Sequence, residues 1–154
     1  MLIDFASDGV LKTFEDYCTP GSRIRELAIK HGECLNIQRP RMNKCLIDFQ
    51  AAVEKTTSDP NRWKERPKTL CCAYDRYIGC NADVIAPTCG REAIELGEVL
   101  IRSIFSRGLQ VTCSRYKHTS GLCKSLLPPK GTQPKGPRSQ SVISRLMSTI
   151  TGVQ

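Results

Sequence analysis

Apolar residues recur at helical spacing along nearly the whole chain. Val10, Leu11, Phe14 and Cys18 share one face, with Ser7 or Asp8 placed to cap a first helix. Thr19-Pro20-Gly21-Ser22 interrupts the pattern, and Ser22 is placed to cap a second helix burying Ile24, Leu27, Ala28 and His31 or Leu35. Asn36 to Pro40 reads as a loop. A third helix follows, with Met42, Cys45, Leu46, Phe49 and Val53 as its stripe. Thr56 to Asn61 reads as a turn that starts a short helix through Trp63. Pro67 suits the first turn of a fourth helix carrying Leu70, Cys71, Tyr74 and Ile78. Pro87-Thr88-Cys89-Gly90 opens a fifth and longest helix, with Ala93, Leu96, Leu100, Ile101 and Ile104 on its face and Gly108 at its C-cap. Leu109 to Cys113 is short and open to an extended reading.

The pattern changes after Leu127. Pro128-Pro-Lys-Gly-Thr-Gln-Pro-Lys-Gly-Pro has the composition of a linker, with nothing to bury. Beyond it Val142, Ile143, Leu146, Met147 and Ile150 form an amphipathic stripe, with Ser139 or Ser141 as its cap. Two readings of that stripe stay open. It is a tail helix docked on its own domain or frayed, or it is an anchor for a protein partner or a membrane surface. The expected fold class is therefore all-α: a disulfide-clamped bundle of about five helices, followed by a flexible basic C-terminal tail. The expected boundaries are a cysteine-rich helical domain at 1–127 and a linker with a short helix at 128–154.

Nine cysteines add covalent constraint: Cys18, Cys34, Cys45, Cys71, Cys72, Cys80, Cys89, Cys113 and Cys123. No two are spaced Cys-x-x-Cys, which removes the usual signature of a zinc ribbon or a thioredoxin-like site and leaves a disulfide framework. Neighbouring helical residues point about 100° apart, so Cys71 and Cys72 face two different neighbours and form a hub. Cys34 and Cys45 are natural partners for that hub, and Cys80 with Cys89 would close the corner between the fourth and fifth helices. Cys18, Cys113 and Cys123 remain, and one of them is the expected odd thiol. Connectivity stays open at this level.

Disulfides imply an oxidising compartment, yet Met1-Leu-Ile-Asp-Phe-Ala-Ser-Asp has no basic start, apolar run or cleavage site of a signal peptide. The expectation is an extracellular protein lacking an upstream segment that carried the signal and a tenth cysteine. The alternatives are a reduced cytoplasmic protein, or a complete mature chain that carries one free thiol. No stretch approaches a membrane span.

Charge is uneven. All 15 acidic residues lie at or before Glu98, whereas Arg102, Arg107, Arg115, Lys117, Lys124, Lys130, Lys135, Arg138 and Arg145 follow it unopposed. These nine are either a solvated tail or the candidate contacts for a polyanion such as a glycosaminoglycan or an anionic membrane. Aromatic residues do not alternate with them as in a single-strand nucleic-acid platform, so nucleic acid is not expected.

Catalytic signatures are missing. His31 lies near an apolar helix face and reads as structural or partly exposed; His118 sits in the basic loop Cys113-Ser-Arg-Tyr-Lys-His-Thr-Ser-Gly and reads as solvated. Glu92, Glu95 and Glu98 share a helix with Arg91 and Arg102, as on a solvated charged face. There is no Gly-rich phosphate loop, no His-Glu-x-x-His and no Gly-x-Ser-x-Gly. No catalytic, cofactor-binding or metal-ligating residue is expected, and no cofactor.

The block Cys71-Cys-Ala-Tyr-Asp-Arg-Tyr-Ile resembles the Cys-Cys-x-x-His-Asp-x-Cys of secreted phospholipases A2, but Asp75 occupies the histidine position, Ile78 the next cysteine, and no calcium loop is present. Plant lipid-transfer proteins and seed albumins need a downstream Cys-x-Cys that Cys80 and Cys89 do not supply. Spaced single cysteines, then Cys71-Cys-Ala-Tyr-Asp-Arg-Tyr-Ile-Gly-Cys80, then Cys89-Gly-Arg-Glu-Ala and a late cysteine, resemble secreted cysteine-rich helical proteins of invertebrates. Insect haemolymph glycoproteins and the core domain of nematode chondroitin proteoglycans are of this kind. That resemblance implies an extracellular, non-enzymatic helical binding or structural domain. There is no Asn-x-Ser/Thr sequon, and Ser120-Gly121 lacks the acidic neighbours of a glycosaminoglycan attachment site. The basic third would bind such polymers rather than carry them. An intracellular adaptor using the tail helix, and a disulfide-rich hydrolase, are the alternatives.

Overall fold

The computed structural model describes residues 11–104 and 111–152, which form helices and connecting segments with no strand among them. The helices are α1 (11–18), α2 (Arg23–Thr57), α3 (Arg66–Cys89), α4 (Arg91–Ile104), α5 (Gly121–Leu126) and α6 (Val142–Thr151), with 3-10 turns at Pro60–Arg62 and Gly136–Arg138. The expected all-α, disulfide-clamped architecture is what the chain adopts. No helix among the described residues is long and apolar enough to cross a membrane. Ser7, Asp8, Val10, Gly108 and Leu109 lie outside the described residues.

Local chemistry sets several boundaries. The Ser22 hydroxyl accepts the Arg25 N–H at 3.2 Å and so caps α2 as expected. Gly90, at φ +83, ends α3 in the left-handed conformation that costs glycine least.

Two expected breaks do not occur. The second and third expected helices are one 35-residue helix, α2, with Pro40 inside it, and Pro87 lies inside α3 instead of opening the next helix. An internal proline orphans the carbonyl four residues earlier. Here Asn36 and Pro40, and likewise Asp83 and Pro87, are exposed, so water can satisfy the orphaned group. The longest helix among the described residues is therefore α2, not the expected fifth helix; α4, which follows Gly90, has 14 residues. Residues 111–113, read as open to extension, form a helical turn.

The chain divides into two compact units: Met1–Arg39 with Asn81–Thr112, and Pro40–Cys80 with Cys113–Gln154. The division crosses α2 and α3 and does not follow the expected 127/128 boundary. In unit 1, Ile24, Leu27 and Leu96 are buried together, flanked by Ala28, Leu35 and Val99. In unit 2, Ala52, Cys72, Ala73, Cys123 and Leu127 make a core of small side chains, flanked by Phe49, Tyr116 and Leu126.

Four disulfides lie inside these units. Cys34–Cys89 belongs to unit 1; Cys45–Cys80, Cys71–Cys113 and Cys72–Cys123 belong to unit 2. Cys71 and Cys72 do reach two different segments, but those carry Cys113 and Cys123, not Cys34 and Cys45. Nor do Cys80 and Cys89 bond. Because α3 continues through Pro87, nine residues of helix separate them by roughly 13 Å, beyond disulfide reach. Each bonds to α2 instead. Cys18 is the free thiol, and it is exposed.

Candidate binding face of the basic C-terminal third

Unit 2 contains a cavity of about 400 Å³ whose wall carries Arg76, His118, Lys124 and Lys130. Thr119, Leu127, Pro128 and Pro129 complete the lining, and no carboxylate is among these residues. Arg76 comes from α3, where it is buried beside the disulfide hub. Its guanidinium donates to the Pro128 carbonyl at 2.7 Å and to the Asp48 carbonyl at 3.0 Å, while Nε has no hydrogen-bond partner. Burial pushes its pKa down from the usual arginine value, and the charge of Asp48 partly opposes this. Such a buried cation is stabilised when an anion approaches.

The segment after α5 shapes the other wall. The Ser120 hydroxyl caps α5 by accepting the Cys123 N–H at 3.3 Å, and Cys123 ties that short helix to Cys72. Past Leu127, the Gly131 N–H donates to the Asp48 carboxylate at 2.6 Å, with Gly131 at φ +83. A sequence that reads as a linker is thereby held against α2 and α3.

His118 is not the solvated side chain expected of its loop. Its backbone N–H donates to Asp75 Oδ2 at 2.8 Å, and its ring Nδ1 lies 2.7 Å from the same oxygen. Lys117 Nζ donates to Asp75 Oδ1 at 3.3 Å. Burial raises the Asp75 pKa, but the His118 backbone and ring, with Lys117, outweigh it and hold the carboxyl below its ordinary value. The imidazole edge lies over Gly79, where a Cβ would stand 3.1 Å from Cε1. Gly79 therefore gives the ring its seat on α3.

Helix α6 docks by its polar face. Gln50 Nε2 donates to the Ser144 carbonyl at 3.1 Å and to Ser148 Oγ at 2.6 Å. Ser144 Oγ and the Lys135 N–H both donate to Glu54 Oε2 at 2.9 Å. Ser141 caps the helix by accepting the Ser144 N–H, and its hydroxyl pairs with that of Thr57 at 2.5 Å. Ser141, Ser144 and Ser148 are buried together with Gln50 and Glu54. The expected flexible tail is thus seated on α2. Of its apolar stripe, Val142, Ile143, Leu146 and Ile150 face solvent at 67%, 49%, 57% and 73% exposure; Met147 is half-buried.

The nine basic candidates do not form one group. Lys124 and Lys130 meet at the cavity; Lys135, Arg138 and Arg145 lie on α6 and the turn preceding it; Arg115 is exposed and Lys117 pairs with Asp75. Arg107 and the side chain of Arg102 lie outside the described residues. Among the described residues, Arg76, Arg115, Lys124, Lys130, Lys135, Arg138 and Arg145 form no ion pair. Arg76 and His118 join the cavity through tertiary packing, and no sequence spacing relates position 76 to 118, 124 or 130. No group of three or more His, Cys, Asp or Glu side chains able to hold a metal occurs among the described residues.

No protein-family model, curated protein or solved structure matches this chain.

Proposed function

We propose that this chain is an extracellular, non-enzymatic binding protein that takes anionic polymers of the glycosaminoglycan class through the basic cavity of unit 2. The cavity carries this reading: Arg76, Lys124 and Lys130 converge with His118 on a wall without a carboxylate. A sulfate or carboxylate group entering there meets a cation already desolvated by the fold, where electrostatic attraction is least screened. The four disulfides support an oxidising compartment. His118 fits a positioning role in this scheme, since its Nδ1 is engaged by Asp75 and its edge rests on Gly79.

The test is salt elution from immobilised heparin. Native protein is expected to be retained at low salt, and K124Q/K130Q to elute earlier, because both lysines are exposed and their replacement leaves the disulfides untouched. Flow-through of the native protein, or identical elution of the variant, would refute the cavity as the site.

A further inference from the structure

We infer that α6 is a docking element for an anionic lipid surface. The inference rests on residues that do not line the cavity and does not depend on the polysaccharide reading. At about 100° per residue, Val142, Ile143, Leu146 and Ile150 fall on one side of α6, opposite the buried Ser144 and Ser148. The usual arrangement is inverted. An amphipathic helix on a globular protein normally buries its aliphatic side, whereas here Gln50 and Glu54 bind the serine side and hold the aliphatic side outward.

The charge around this face selects its occupant. Arg138 and Arg145 are exposed, as is Lys135, and the sequence has no acid after Glu98. An aliphatic strip flanked by cations is the composition of a helix that lies in a membrane interface, its side chains among the acyl chains and its cations at anionic headgroups. A soluble polyanion matches the cations and offers nothing to cover four aliphatic side chains. Protein hot spots favour Trp, Tyr and Arg over Leu and Val, and this strip consists of Val, Ile and Leu. The polar seat orients the helix before it meets the bilayer, so little ordering is left to the binding step. Four aliphatic residues and a few cations make the attachment reversible and dependent on anionic lipid.

Vesicle co-sedimentation of the full-length, oxidised protein tests this, using phosphatidylcholine vesicles with and without phosphatidylserine. The protein is expected to partition onto the phosphatidylserine vesicles alone and to be released by salt. I143S/L146S/I150S should lower that partition by on the order of tenfold or more, and R138Q/R145Q by on the order of tenfold. The serine variant should keep the helical circular dichroism and heparin elution of the native protein, which separates this surface from the cavity. Failure of the native protein to sediment with phosphatidylserine vesicles overturns the inference. Equal binding to pure phosphatidylcholine overturns the part assigned to Arg138 and Arg145. A concentration-dependent dimer that the serine variant abolishes, without vesicle binding, would make a second copy the occupant and likewise overturn it.

Discussion

In unit 1, Glu92 stands among Arg23, Lys30 and His31, at 3.2, 2.5 and 3.3 Å, and Glu95 closes on Arg23 at 2.8 Å. In unit 2, Arg76, Lys124 and Lys130 surround a cavity without a carboxylate on its wall, and α6 turns its aliphatic side to solvent. Unit 1 pairs its two carboxylates Glu92 and Glu95 with its own cations and buries Ile24, Leu27 and Leu96 together, although Leu11, Ile29, Ile37 and Val111 are exposed. Unit 2 leaves cations and aliphatic groups facing outward and buries serine, glutamine and glutamate. Exposed, unpaired groups held by a firm scaffold are what a binding surface needs. The disulfides follow the same division, with three in unit 2 and one in unit 1.

The contrast is tested most strongly by removing covalent constraint. C72A/C123A should destabilise the protein by about 2–5 kcal/mol, since both residues also belong to the small-residue core of unit 2. C34A/C89A should cost less, because Cys89 is not among the buried core residues. Urea unfolding of both variants measures the difference, and a larger loss for C34A/C89A would reverse the assignment of the firmer scaffold.

A smaller effect is expected at the polar seat of α6. E54A leaves the Ser144 hydroxyl and the Lys135 N–H without their acceptor, at a cost of about 1–3 kcal/mol. Amide exchange should rise in Val142–Thr151 and stay unchanged in Arg91–Ile104. If α6 kept its protection, burial of its serines would owe nothing to Glu54.

The smallest effect belongs to unit 1 and appears only with pH. Hydrogen bonds from Lys30 first, then from His31 and Arg23, depress the Glu92 pKa from 4.5 to about 2. A depressed folded-state value means that this contribution is complete above the unfolded pKa near 4.5. It is lost as pH falls toward 2. Glu92 is partly exposed, so the effect should be modest and weakened by salt. E92Q should flatten the fall in thermal midpoint over that acid range; an unchanged acid limb would show that the cluster contributes nothing to stability.

Much of the fold was legible because helical periodicity and capping are local. Ile24, Leu27 and Leu96 lie in the unit 1 core, Ser22 caps α2 and Ser141 caps α6, all as their positions suggest. Pro40 and Pro87 were misread because a proline's cost depends on whether water reaches the carbonyl it orphans, which is a property of the packed surface. The disulfide pairings were misread for a related reason. They follow from α3 continuing past Pro87 and presenting both Cys80 and Cys89 to α2.

By itself the sequence determined the helical class, the nine thiols, the acid-free stretch after Glu98 and the amphipathic stripe of α6, because each is written in residue type and short-range spacing. Tertiary structure decided which thiols meet, that Arg76 and His118 join Lys124 and Lys130, and which side of α6 faces solvent. The last outcome turns on Gln50 and Glu54, some ninety residues earlier in the chain. Their side chains bond the serines of α6 and leave its aliphatic side uncovered. No periodicity within α6 encodes that choice, because it depends on the hydrogen-bonding groups of the helix it meets.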